Sequence, residues 1–187
     1  MKIVSLIDSF KDALSSQDID SILHQTLNRD NHEINSLQIS DGGEGFVSAM
    51  SHSLHCPVLS IASNNACGEE MQAEYVVDDR QNVLVLESAQ CAGIQQIAQS
   101  QRNPFVLSSY GIGKQLFLLL DKYSSQNKIK TVILGLGGTA TVDCGIGILY
   151  YLGFRFYTSD NVEAVITPYD LHKFHSIAHI DCSNVDL

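Results

Sequence analysis

Glycine residues and small hydroxyl side chains are concentrated in the segment TVILGLGGTATVDCGIG, residues 131–147. Its apolar, β-branched beginning predicts a short buried strand, and Gly137, Gly138 and Thr139 follow it closely. A strand that leads through a glycine-rich turn into a helix presents backbone N–H groups to an anion. Glycine also lets a phosphate approach the backbone. The segment therefore predicts a phosphate-binding loop, with a close-packed structural turn as the alternative.

Acidic side chains accompany two glycine-rich segments. Asp41 opens the segment DGGEG, in which Gly42, Gly43 and Glu44 follow, and Asp143 lies beyond the glycine-rich turn. In the DGGEG segment, carboxylates would repel a bare phosphate, so their chemical use would be to bind Mg²⁺ or to accept a proton from a hydroxyl. Helix capping is the structural alternative for Asp41.

A third group of polar side chains, Asp8, Ser9 and Lys11, directly follows the first predicted strand, residues 2–7. In an open α/β sheet, ligands bind just outside the carboxyl ends of the strands. These side chains are therefore candidates for ligand binding, although a solvated turn fits the same residues.

The composition limits the partners and the compartment. A formal net charge of −10 argues against a nucleic-acid surface, and no basic run indicates binding to an acidic membrane. No apolar stretch approaches the length that spans a bilayer, and the chain enters a strand pattern at once instead of a signal peptide. The five cysteines contain no CxxC pair, which argues against a disulfide framework or a zinc site. We therefore expect a cytoplasmic protein.

Strand and helix patterns alternate along most of the chain. This order predicts an α/β fold in which a mostly parallel, Rossmann-like sheet has helices on both faces. Residues 57–87 differ, because three short strand patterns are joined there by Asn-Asn, Gly-Glu and Asp-Asp turns. We interpret them as part of a smaller, β-rich second lobe, and residues 1–56 and 88–187 as parts of the α/β domain. The predicted helices are a segment beginning at Ser15 and residues 46–52, 88–98, 115–123 and 146–152.

Residues 135–140 also satisfy the dinucleotide-binding pattern GxGxxA, and Asp160 follows the next predicted strand, where a ribose-binding acid is expected. Two features weigh against an NAD-binding oxidoreductase. Asp143 would lie in the first turns of the helix that receives the pyrophosphate, where its charge competes with the ligand. Gly145 and Gly147 would each weaken that helix by about 1 kcal/mol.

Several segments resemble motifs of the class I glycerate kinases, in the same order along the chain. DGGEG at residues 41–45 matches the family motif, and residues 8–15 are similar to DSFKGSLS. Residues 135–143 are similar to GIGGSATND. The other matches are RNP at 102–104, SYGIG at 109–113 for SYGTG, and LGFRF at 152–156 for LGVRF. The resemblance covers essentially the whole chain, and its specificity comes from the number and order of the matches.

The resemblance implies transfer of the γ-phosphoryl group of ATP to a hydroxyl of glycerate, with Mg²⁺. The backbone at 137–139 would hold phosphate oxygens, and Lys11 would neutralise charge on the transferring group or on the glycerate carboxylate. Asp41 or Asp143 would act as the base or as a Mg²⁺ ligand. Arg102 is a candidate clamp for a carboxylate, because its guanidinium can bind in a bidentate manner.

The chain also departs from the family pattern at five positions. Asp12 replaces a glycine, Phe46 a threonine, Val142 an asparagine and Cys144 a glycine, while Lys114 stands where an acid is usual. Family members continue well past the length of this chain, which therefore resembles their N-terminal half. We expect an inactive fragment of a glycerate kinase. The alternative from another class is a non-catalytic remnant that binds phosphate-bearing ligands.

Overall fold

The computed structural model describes residues 2–10, 13–27, 32–124, 129–160, 162 and 171–185. Lys11, a predicted catalytic residue, lies outside them. The described residues form an α/β fold with short 3-10 turns between its longer elements. In chain order the strands and α-helices are β1 (Lys2–Ile7), α1 (Ser16–Leu27), β2 (Glu33–Gln38), α2 (Phe46–Leu54), β3 (Leu59–Asn64), β4 (Glu70–Asp78), β5 (Val83–Glu87), α3 (Ser88–Ala92), α4 (Tyr110–Ser124), β6 (Thr131–Gly135), α5 (Ile146–Tyr151), β7 (Arg155–Thr158) and β8 (Ile177–Asp181).

The α/β class is confirmed, but the prediction of a mostly parallel, Rossmann-like sheet is wrong for the described residues. β1 and β2 form a parallel two-stranded sheet, and β7 and β8 form an antiparallel pair. The four-stranded sheet β3-β4-β5-β6 is mixed, since β5 and β6 run parallel and its other pairings are antiparallel. The connections between these strands, residues 65–69 and 79–82, are too short to contain a crossover helix. For this reason β3, β4 and β5 pair as antiparallel neighbours.

The four-stranded sheet has a helix on each face. Val85 of β5 packs with Val47 of α2, whereas Leu84 and Leu86 pack toward α4 on the other face, because successive side chains of a strand alternate. β5 pairs in parallel with β6, so the β-rich segment shares one sheet with the strand that precedes the glycine-rich loop. The division of the chain into residues 57–87 and a larger domain stays a prediction.

Helix α1 begins as the sequence predicts. The amide of Asp18 donates to Ser15 Oγ over 3.1 Å, and the amide of Ser15 donates to Asp18 Oδ2 over 3.3 Å. This reciprocal pair is a capping box with Asp in place of Glu. Across the part of the chain that the structure describes, no helix has both the length and the apolar character needed to cross a bilayer.

Two helices differ from the sequence prediction. Helix α3 ends at Ala92 because Gly93 has an extended backbone, with φ −63° and ψ 130°, and short 3-10 turns replace the expected continuation. Helix α4 begins at Tyr110, so the glycines at 111 and 113 lie inside it. A Cβ atom on Gly113 would lie 2.7 Å from Ile148 Cα of α5. These glycines therefore allow helix packing and do not form a ligand loop.

Candidate active site

A cavity of about 250 Å³ opens where the segments after four strands converge. Asp8 and Ser9 follow β1, Asp41 and Glu44 follow β2, and Gly138 follows β6. The end of β5 and the segment beyond it supply the opposite wall. In α/β folds the carboxyl ends of the strands are the usual position of a ligand site. The complete lining is Asp8, Ser9, Asp41, Gly43, Glu44, Glu87, Ala89, Gln90, Gly93, Ile94, Gln95, Gln96 and Gly138.

The segment DGGEG forms a tight turn against the second glycine-rich loop. The amide of Gly43 donates to Asp41 Oδ1 over 2.8 Å, and Gly42 has a left-handed φ of 94°. A Cβ atom on Gly137 would lie 2.8 Å from Gly43 Cα. Because side chains at these positions would force the two loops apart, glycine is needed to bring the backbones into contact.

The loop after β6 is held against the chain that follows α3. The amide of Ile94 donates to the Gly138 carbonyl over 2.9 Å, and the amide of Ala140 donates to the Ala92 carbonyl over 2.8 Å. The amide of Gly137 points to Ser88 Oγ at 3.4 Å. Only part of the predicted phosphate loop thus faces the cavity, namely Gly138.

Glu87, the last residue of β5, was not among the predicted site residues. Its side chain is 1% exposed, and Oε1 and Oε2 accept hydrogen bonds from the amides of Gly45 and Val47 at 3.3 and 3.0 Å. Burial raises the pKa of Glu87, although the hydrogen bonds from Val47 and Gly45 oppose that shift. Glu87 therefore connects the wall of the cavity to the start of α2.

Asp143 has a different environment from the one expected for a base. Its side chain is buried, and Oδ2 accepts hydrogen bonds from the amide and hydroxyl of Ser109 at 2.8 and 2.7 Å. The amides of Gly145 and Gly147 donate to the two carboxylate oxygens at 3.2 and 3.3 Å. These contacts join the amino-terminal ends of α4 and α5. Asp143 does not line the cavity described above.

The predicted cationic residues are not found on the described wall of the cavity. Arg102 Nε donates to the Ile97 carbonyl over 2.9 Å, and its side chain does not line the cavity. Lys11 lies outside the described residues. Of the predicted phosphate-binding residues, three are absent from the described lining of the cavity, namely Gly42, Gly137 and Thr139.

The described lining is acidic, since it includes Asp8, Asp41, Glu44 and Glu87 and contains no lysine or arginine. A polyphosphate can approach such a surface only with a cation, and Mg²⁺ in kinases is held by one or two carboxylates together with substrate phosphates. The described residues contain no group of three or more potential ligands placed to hold a metal ion by themselves. The donor set therefore fits Mg²⁺ that arrives with a nucleotide.

Sequence reasoning missed one side of the cavity. Gln90, Gln95 and Gln96 line it, but they lie in a segment that was predicted as one continuous helix. Glu87 had a usable signal, because it is an acid at the carboxyl end of an apolar strand.

The fold and the cavity define an α/β protein with an acidic cavity bounded by two glycine-rich loops. The chain belongs to the glycerate kinase family, whose sequence model matches residues 3–187. The resemblance drawn from the motifs is therefore confirmed.

Individual relatives are similar over nearly the whole chain. It is 32% identical over 180 residues to a glycerate kinase of Neisseria meningitidis serogroup B, covering 95% of this chain and 47% of that protein. It is 26% identical over 188 residues to the glycerate 2-kinase of Escherichia coli K12, covering 100% of this chain and 47% of that protein. The crystal structure of a candidate glycerate kinase 2 from Salmonella typhimurium LT2 superposes with a TM-score of 0.78 at 27% identity, covering 100% of this chain and 49% of that one. The chain spans about half the length of the curated relatives it matches.

Proposed function

We propose that this chain provides the glycine-rich, acid-lined part of a glycerate kinase site, at which the γ-phosphoryl group of ATP passes to a hydroxyl of glycerate. The observation that carries the proposal is the convergence of three family-like segments on one cavity. Three distant parts of the chain line the same space, with Asp8 and Ser9 from the first, Asp41 and Glu44 from the second and Gly138 from the third. Family membership over residues 3–187 supports the same conclusion.

Phosphoryl transfer needs little covalent chemistry from the protein, and depends on positioning and on charge stabilisation. Mg²⁺ bound together with the nucleotide would supply the positive charge that neutralises the phosphates, and one or both of the cavity acids Asp8 and Glu44 would hold it. Asp41 is our candidate for the group that accepts the hydroxyl proton, because it is exposed to the cavity. The buried contacts of Asp143 favour a role in holding α4 and α5.

Two positive charges of the proposed site come from the sequence alone. Lys11 would neutralise the transferring group or the glycerate carboxylate, and the proposal rests on its place in the family-like segment at residues 8–15. Arg102 would clamp the glycerate carboxylate only if its guanidinium left the Ile97 carbonyl, to which it now donates.

The alternative is a non-catalytic member of the family that binds phosphate-bearing ligands. It is favoured by Val142, which is 59% exposed beside the glycine-rich loop where the family has a side-chain donor. An NAD-binding function has less support. The amides of Gly145 and Gly147, at the start of the helix that would receive a pyrophosphate, already donate to Asp143.

The test is glycerate-dependent release of ADP from two proteins. One is the 187-residue chain, and the other, called the chimaera below, is the same chain followed by the remaining half of the Neisseria glycerate kinase. We expect turnover from the chimaera and background from the chain alone. Comparable turnover from both would mean that the site is complete within these residues. Nucleotide binding without turnover in the chimaera would favour the non-catalytic alternative.

A further inference from the structure

Glu87 is a buried acid at the end of β5 that contacts a different segment of the site. Its two carboxylate oxygens accept hydrogen bonds from the amides of Gly45 and Val47. Glu87 is also one of the residues that line the cavity, together with Asp41 and Glu44. The residue therefore touches both the candidate ligand space and the turn that carries the exposed acids.

These contacts replace the cap that helix α2 lacks. The N-cap residue is Gly45, which has a left-handed φ of 88° and no side chain to accept a helix amide. The first N–H groups of a helix need acceptors, and a negative charge there also interacts favourably with the helix dipole. Glu87 supplies both the acceptor oxygens and the negative charge from a neighbouring strand. It therefore fixes the start of α2 relative to the sheet.

A carboxylate is an unfavourable choice for a cap that serves stability alone. Burying a charge without a cationic partner costs free energy, and burial raises the pKa of Glu87. A serine or aspartate in the turn itself would cap the helix from an exposed position. A function for the cavity would explain why a buried carboxylate is used here, because Glu87 fixes the turn that carries the cavity residues Asp41 and Glu44.

We propose that Glu87 is a positioning residue of the phosphoryl-transfer site, which holds the turn at residues 41–45 so that Asp41 and Glu44 face the ligand. The inference rests on the proposed function, because positioning has a meaning only where a reaction takes place. Its physical part, the anchoring of the turn by the Glu87 carboxylate, can be measured without any turnover.

The matched control is Asp78, at the other end of the same strand ladder. Its side chain is also 1% exposed, and Oδ1 lies 3.0 Å from Arg80 Nε. Asp78 pairs with Val83, the first residue of β5, whereas Glu87 is the last. Asp78 is not part of the cavity lining. Asp78→Asn therefore perturbs a buried acid of the same sheet away from the site.

The first measurement is amide hydrogen exchange in the 187-residue chain. We expect Glu87→Ala to speed exchange at Gly45 and Val47 by about tenfold, the factor for one lost hydrogen bond of typical net strength. Glu87→Gln keeps one acceptor oxygen and should give a smaller change, and it serves if the alanine variant does not fold. Asp78→Asn should leave both amides unchanged. Unchanged exchange at Gly45 and Val47 in folded Glu87 variants would overturn the proposal.

The second measurement separates positioning from stability in the chimaera. We expect Glu87→Ala to lower kcat on the order of a hundredfold, the loss that a displacement of about 1 Å can cause, with a much smaller change in KM for glycerate. Glu87→Gln should restore most of kcat, and Asp78→Asn should keep kcat at a similar loss of stability. Equal losses of kcat in Glu87→Ala and Asp78→Asn would show that Glu87 contributes only to stability, and would overturn the positioning role. If the unmodified chimaera were inactive, the proposed function would fail, and the exchange result would still decide whether Glu87 holds the turn.

Discussion

Asp41 lies on the cavity wall, and its Oδ1 accepts a hydrogen bond from the amide of Gly43. Asp143 is 2% exposed and accepts hydrogen bonds from the backbone and hydroxyl of Ser109 and from the amides of Gly145 and Gly147. The first acid is free to meet a ligand, whereas the second already satisfies donors of two helices. Their substitutions should therefore have different consequences.

We predict that Asp143→Asn lowers the free energy of unfolding by about 3 kcal/mol, because an amide group cannot accept all of these hydrogen bonds and leaves buried donors unsatisfied. Asp41→Asn should change it by less than about 1 kcal/mol, because only one acceptor contact of an exposed group is affected. Urea denaturation of the 187-residue chain measures both. Equal unfolding midpoints for the two variants would contradict this account of Asp143.

Much of the candidate site at the residue scale could be predicted from the sequence. Asp8, Asp41 and Glu44 follow predicted strands, and general knowledge of α/β sheets places such residues near a ligand. The burial of Asp143 could not be predicted in this way, because its main partner, Ser109, is 34 residues away. A glycine-rich loop indicates close approach, but it does not reveal whether a ligand or another helix approaches.

Two buried acids lie near opposite ends of strand β5, and their pKa values are shifted in opposite directions. At its carboxyl end, burial raises the pKa of Glu87. The Asp78 carboxyl group, beside its amino end, accepts hydrogen bonds from Arg80, which lower the pKa of Asp78. The two groups should therefore contribute to stability with opposite dependence on pH.

The pH dependence can be measured as the difference in unfolding free energy between the wild type and each neutral variant. A raised pKa means that the folded state binds the proton more tightly, so the Glu87 contribution is present at low pH and is lost as the pH rises through the raised pKa. The wild type should therefore lose stability relative to Glu87→Gln as the pH rises. The lowered pKa of Asp78 gives the opposite dependence, because its contribution to stability is lost as the pH falls through the folded-state pKa. The wild type should therefore lose stability relative to Asp78→Asn as the pH falls. Urea titrations from about pH 3 to pH 8 test this, and parallel profiles for both variants would contradict it.

Element boundaries could be predicted where a local signal exists. The capping box at Ser15 and Asp18 correctly marks the start of α1. The start of α4 could not be found from local preference, because Gly111 and Gly113 disfavour a helix in isolation. Their value lies in tertiary packing, since a side chain on Gly111 would overlap the backbone of Asn64. Close packing of α4 against β3 and α5 therefore overrides the local preference.

For the molecule as a whole, we predict that the glycine-rich loops bind ATP and not NAD. In the chimaera, Mg²⁺ with a non-hydrolysable ATP analogue should slow amide exchange at Gly138 and Thr139, while NAD should not. The amides of Gly137 and Ala140 already have protein acceptors, so their exchange should change less. Hydrogen-exchange mass spectrometry with NMR assignment of these amides distinguishes the two cases. Protection by NAD alone would revive the dinucleotide interpretation.

The α/β class followed from the alternation of strand and helix patterns, but the sheet arrangement did not. Strand pairing depends on contacts between distant segments, such as β5 with β6, whose residues are far apart in the sequence. The short connections at residues 65–69 and 79–82 were the available clue to antiparallel pairing. The match to about half the length of the relatives agrees with the prediction that the chain corresponds to an N-terminal portion.

We propose that a phosphoryl group passes to glycerate at the acidic cavity, and formation of the product tests this proposal most directly. Phosphorus NMR of the chimaera with Mg²⁺, ATP and glycerate should show a new phosphomonoester resonance. Asp41→Asn should slow its appearance by about 10²–10⁴-fold, the range for loss of a general acid–base group, with the unfolding midpoint unchanged. An unaltered rate in Asp41→Asn, or no phosphomonoester from the unmodified chimaera, would contradict the claim.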